Sequence, residues 1–214
     1  MRWRIAAALT LVAGLLAFAG YVFWLQDWKY SLPTPKPQGL RQIAAGSTPA
    51  LPPALARIRR QAGDRPIFLN FFNPDCPCSR FNEDHVRALV RAHHQAAQFV
   101  AIVEPEGGEL AYDAAERAAR EFGMEAILDA DGSIGRALGV YSTPQAVILD
   151  TDGTLFFRGN YNLSRYCADA KTEYARLALE HALAHTPYTA PEGANIAYGC
   201  ELPANVHAAP GGAQ

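Results

Sequence analysis

Two of the four cysteines in this 214-residue chain are separated by a single proline, in the segment Asp75-Cys76-Pro77-Cys78-Ser79. They follow the aromatic, apolar run Phe68-Leu69-Asn70-Phe71-Phe72, which has strand character, and precede Ser79-Arg80-Phe81, where a helical pattern begins. A cysteine at such a junction lies against backbone N–H groups with no intrahelical partner and against the positive end of the helix dipole. Both favour the thiolate, which is the nucleophilic and metal-binding form. Pro77 suits an early helical position because its missing N–H would have no partner there. Cys76 and Cys78 are therefore the candidate catalytic residues, and disulfide exchange is the chemistry expected of them. A bond between residues two apart departs from relaxed disulfide geometry, so a Cys76–Cys78 pair is expected to be oxidising. The resolving thiol comes either from Cys78 or from one of the two remaining cysteines, Cys167 and Cys200. These last two could instead bond each other as a structural disulfide.

Two thiolates at this spacing also form a soft donor set suited to Cu(I). Histidine help is not placed for it: His85 lies about 10 Å further along the helix than Cys78, beyond a ligand distance of about 2 Å. His181 and His185 have the i,i+4 spacing of a chelating pair but read as a solvated helix face. No resident metal or other cofactor is expected. Asp75 reads as a turn residue, and the acidic loop from Glu104 to Leu110 as solvated.

The elements that position the cysteines start beyond a membrane segment. Arg2 and Arg4 precede Ile5 to Leu25, 21 residues without a charge, close to the ~20 that span a bilayer as a helix. Ala17-Phe18-Ala19 fits a signal-peptidase site. However, the apolar run continues through Tyr21, Phe23 and Trp24, which suit interfacial anchoring, so an uncleaved anchor over residues 1–25 is expected. The basic flank stays in the cytoplasm and the remainder is exported, to a compartment where disulfides persist. Residues 26–62 are a Pro-rich linker with a lead-in helix over Ala54 to Gln61. Residues 63–187 form one domain, and 188–214 a mobile tail carrying Cys200. The balance of 19 basic against 21 acidic residues shows no basic cluster that would take nucleic acid.

Within the domain, strands are expected over Ile67–Phe72, Phe99–Val103, Ala126–Leu128, Gln145–Leu149 and Leu155–Phe157, the last two joined at Asp152-Gly153. Helices are expected from Ser79 to about His94, Ala111 to Phe122, Ser133 to Leu138 and Lys171 to Ala184. This order implies an α/β fold: a central mixed sheet flanked by helices.

Three stretches, in order, resemble the thioredoxin-like superfamily and, within it, exported membrane-anchored redoxins and peroxiredoxin-like proteins. They are Phe71 to Ser79, Leu128 to Val140, and Ser142-Thr143-Pro144-Gln145 running into Asp152-Gly153. The resemblance covers about residues 63 to 187 and implies a thioredoxin-like fold with Cys76 as the nucleophile. It also implies that Thr143 and Pro144 form a cis-proline loop that faces the sulfur and binds substrate. The family's second cysteine stands three after the first, and here that position is Ser79. Some peroxiredoxin-like proteins look similar in carrying a late Gly-Cys, as in Gly199-Cys200. The implied activity is that of a thiol–disulfide oxidoreductase or thiol peroxidase in the bacterial inner membrane, single-pass and facing the periplasm. Its partners would be protein thiols and disulfides or small peroxides. Copper delivery through Cys76 and Cys78 and a non-catalytic binding module are the rival readings.

Overall fold

The structure is a computed structural model that describes residues 2–28, 32–104, 109–163 and 169–203. Helix α1 (Arg2–Phe23) has no buried residue and is long and apolar enough to cross a membrane. A one-turn-and-more π-helical stretch, Trp24–Trp28, follows it.

Strand β1 (Ile67–Phe71) is buried at every residue because it lies in the middle of a five-stranded sheet. The other strands are β2 (Gln98–Val103), β3 (Glu125–Leu128), β5 (Gln145–Leu149) and β6 (Leu155–Gly159), in the order β3-β2-β1-β5-β6. β1 runs parallel to β2, and β2 parallel to β3, while β5 is antiparallel to β1 and β6 to β5. Alternation along β1 divides the core. Phe68 joins the cluster under helices α4 (Glu83–His93), α5 (Glu109–Glu121) and α7 (Tyr174–Leu183). Ile67, Leu69 and Phe71 join the opposite cluster, under α2 (Pro53–Ala62) and α6 (Ser133–Leu138). This is the thioredoxin-like arrangement, a mixed sheet with helices on both faces.

Three regions differ from the sequence reading. The helix expected from Ser79 to His94 is two helices, α3 (Pro77–Phe81) and α4, broken at Asn82. The Asn82 amide donates to the Cys78 carbonyl at 3.1 Å and its oxygen accepts from Asn162 at 3.3 Å, a tertiary tie that no local pattern announces. The Pro-rich linker is packed against the domain over its second half. Gly46 N–H donates to the Leu155 carbonyl and Leu155 N–H to the Ser47 carbonyl, each at 2.8 Å, so the linker covers the edge strand β6. Ile43 and Leu51 pack on the second core cluster. The tail is held as well, through residue 203, with Ala194, Ala197 and Leu202 buried.

His85 sits on α4 with its ring edge-on to Tyr161 at 5.9 Å, its Nδ1 3.9 Å from Glu173 Oε1, and its Nε2 buried without a hydrogen-bond partner. Burial holds its pKa below the ordinary 6.5; Arg176 acts in the same direction and Glu173 opposes them. Folding thus selects the neutral ring, and between the two pKa values the unfolded chain binds the extra proton. Stability is full above about pH 6.5 and falls as the pH drops below it. His85→Gln is expected to flatten the decline of the unfolding midpoint between about pH 7 and pH 5. An unchanged slope would contradict this assignment.

Candidate functional site

Cys76 is the N-cap of α3, with φ −79° and ψ 118°, and Pro77 opens the helix. Its N–H donates to the Asn73 carbonyl at 3.1 Å, and the Asn73 side chain in turn accepts from Asp75 N–H at 2.9 Å. Asp75 is exposed on this turn. The turn fixes where β1 ends and points the Cys76 side chain at the loop before β5. That loop contains β4 (Ser142–Thr143) and a cis Thr143–Pro144 peptide bond. Cys76 Sγ lies 3.6 Å from the Thr143 carbonyl oxygen, and Cys76 and Thr143 are 2% and 0% exposed.

Ser79 ties the two loops together. Thr143 Oγ1 donates to the Phe71 carbonyl at 3.0 Å, so its one proton is used and it accepts from Ser79 Oγ, also at 3.0 Å. Ser79 Oγ accepts in turn from Asn73 N–H at 3.3 Å. Every member is buried, so the network holds Thr143 rigidly beside Cys76. The residue three after Cys76 has become a clamp instead of a thiol.

The thiol is supplied from elsewhere. Cys76 is bonded to Cys200 across 124 residues of sequence, with Cα atoms 6.2 Å apart. Strand β7 (Cys200–Glu201) pairs antiparallel with β4, Cys200 opposite Thr143 and Glu201 opposite Ser142. Leu202 N–H extends the pairing to the Tyr141 carbonyl at 3.1 Å, and Thr34 N–H donates to the Ala197 carbonyl at 2.8 Å. The approach is so close that a Cβ on Gly199 would lie 2.2 Å from the Thr143 oxygen. Upstream, a Cβ on Gly159 would lie 2.4 Å from the Ala194 oxygen, so two glycines let the tail lie down.

A Cys76–Cys78 bond is therefore not the one formed. Cys78 lies in the first turn of α3, 5% exposed and outside the disulfide. A Cys167–Cys200 bridge is not formed either, because Cys200 is taken by Cys76; Cys167 itself lies outside the described residues. Cys200 is on a bonded strand, not a free-moving tail. Glu104 is buried at the end of β2 instead of solvated, and residues 105–108 of its loop lie outside the described residues. Among the described residues, no group of three or more His, Cys, Asp or Glu is placed to hold a metal ion. His181 bonds Thr186 at 2.9 Å, and His185 falls beyond the end of α7 with φ 53°, so the two do not share a helix face. The docking of the tail was the feature that sequence reasoning missed. Its signal was present in Gly199, directly before a cysteine, and in the apolar Leu202 two residues after that cysteine.

No curated protein matches the chain. Among solved structures it is similar to a hypothetical protein, SMc02350, from Sinorhizobium meliloti 1021. That likeness has a TM-score of 0.59 and 20% identity over 76% of this chain and 95% of the other. An uncharacterized conserved protein from Geobacillus kaustophilus is similar with a TM-score of 0.58 and 21% identity, covering 80% and 97%. A thioredoxin-like protein in its oxidized form matches at a TM-score of 0.48 and 16% identity, covering 72% and 97%. At these identities the likeness is one of fold. A family profile matches residues 42–201, a span that begins in the packed linker and runs through β7. The chain therefore belongs to the family described as a domain of unknown function, DUF6436.

Proposed function

We propose that this protein is a thiol–disulfide oxidoreductase in which Cys76 is the nucleophile and Cys200 its resolving partner. The observation that carries the reading is the Cys76–Cys200 disulfide, formed beside the cis-proline loop by a strand that pairs with that loop. In the reductive direction, the Cys76 thiolate attacks a substrate disulfide. A bond forms between Cys76 and one substrate sulfur, and the other leaves as a thiolate. The Cys200 thiolate then attacks Cys76 Sγ, the mixed disulfide breaks, and the second substrate thiolate is released. The substrate gains two electrons and the Cys76–Cys200 disulfide holds the oxidising equivalents; the oxidative direction is the reverse. Helix α1, with Arg2 and Arg4 in its first turn, supports a single-pass anchor in a bacterial inner membrane with the domain in the periplasm.

The test is reduction of insulin disulfides by the full-length chain with dithiothreitol as reductant. Cys76→Ser is expected to fall to the background of dithiothreitol alone, since a hydroxyl forms no disulfide. Retained turnover in that variant would overturn the reading. For location, a reporter fused after Gln214 is expected to be active only when exported. Activity confined to the cytoplasm would contradict the topology.

A further inference from the structure

The tail shows what the strip beside Cys76 accepts. We propose that this strip binds extended peptide segments in which the exchanging cysteine is preceded by glycine and followed, two residues on, by an aliphatic side chain. This inference rests on the reading of Cys76 as nucleophile and names its substrate class.

Backbone pairing with Ser142 and Thr143 gives affinity for any extended chain, so selectivity must come from the side-chain positions. At the position before the cysteine the wall is the Thr143 carbonyl, 2.2 Å from where a Cβ on Gly199 would stand, with the Pro144 ring at 3.3 Å. That wall does not yield, because Thr143 is wholly buried and its side chain is clamped between Phe71 and Ser79. Gly199 also adopts φ 148°, which L side chains disfavour. At the position after the cysteine, Glu201 is exposed, so nothing is selected there. At the next position Leu202 is 3% exposed and joins the core cluster of Ile134, Leu138 and Val140. Its Cδ1 would be 3.3 Å from a Cβ placed on Gly135, so the absence of a side chain on α6 makes room for it. A peptide that pairs with β4 in the same register meets a glycine-sized slot and then an apolar socket.

The experiment uses the full-length Cys200→Ser chain in detergent, reduced and freed of reductant. The probe is a peptide of sequence Tyr-Gly-Cys-Glu-Leu whose cysteine carries thionitrobenzoate. The Cys76 thiolate attacks the peptide sulfur and a new S–S bond forms. The aryl disulfide breaks, and thionitrobenzoate leaves with the electron pair and is read by absorbance. Mass mapping places the adduct. The tail competes equally with every peptide, so ratios of rates are informative. Alanine in place of the glycine, or in place of the leucine, is expected to slow the reaction about tenfold or more. Alanine in place of the glutamate should leave it within about twofold. In Gly135→Ala, which narrows the socket, the advantage of leucine should disappear while that of glycine remains. Rates within about twofold for all the peptides would overturn the inference, as would a full leucine advantage in Gly135→Ala. If Cys76 still reacts with dithio-bis-nitrobenzoate in those cases, the exchange reading stands. Failure of Cys76 to react with any of these probes would overturn both.

Discussion

A Cys200→Ser chain, recovered from membranes after acid quenching, is expected to carry mixed disulfides through Cys76 to partner proteins, where the native chain carries only traces. The sulfur that ends a mixed disulfide must reach Cys76 Sγ, and the tail holds Cys200 at bonding distance. Intramolecular delivery of this kind makes resolution fast relative to any encounter from solution. With serine at 200, the other cysteine among the described residues is Cys78, buried in the first turn of α3. A bond from Cys76 to a residue two away requires that turn to open, because the Cys78 side chain must leave its helical direction to reach the N-cap sulfur. The mixed species should therefore accumulate, shift to higher mass on non-reducing gels, and vanish in a Cys76→Ser/Cys200→Ser double variant. Absence of trapped partners, with activity retained, would assign resolution to Cys78 or Cys167.

The second large effect concerns the socket. Leu202→Ala removes a side chain buried in the second core cluster, a change that costs about 2 kcal/mol or more in well-packed cores. Substrates can reach the strip only if the reduced tail leaves it, so the loss falls on the disulfide state, in which the tail is held down. The Cys76–Cys200 bond should then become easier to reduce, with its potential raised by about 40 mV, an equilibrium shift of about thirtyfold. Gly199→Val should act in the same direction, because its side chain would collide with the Thr143 carbonyl. A potential unchanged in both variants would mean that the reduced tail stays docked, which closes the strip to substrates.

How much of this was legible in the sequence follows from the range over which each feature is determined. The strands were legible because burial on both faces writes a largely apolar run, as in Ile67 to Phe71 around Asn70 and in Ala146 to Leu149 after Gln145, and the junction of β1 with the cysteines was legible for the same reason. The break at Asn82 was not, because it is set by partners at Cys78 and Asn162 that join only when the fold is complete. The linker and tail were read as loose from their proline, glycine and alanine content. Composition reports the lack of helix or strand propensity, but not that extended chain can be fixed by backbone bonds to a sheet edge, as at Gly46 with Leu155 and Thr34 with Ala197. The disulfide partner was left open because 124 residues separate Cys76 from Cys200, and only the pairing of β7 with β4 brings them together.

The central claim is that Cys76 and Cys200 form the redox pair. The direct measurement is a glutathione redox titration of the full-length protein, quenched with acid, alkylated and mapped by peptide mass at each point. Cys76 and Cys200 should become alkylatable together in one two-electron transition, and oxidised samples should yield a single bridged peptide pair joining residue 76 to residue 200. A bridge from Cys76 to Cys78 or to Cys167, or Cys76 remaining alkylatable at every potential, would contradict the account.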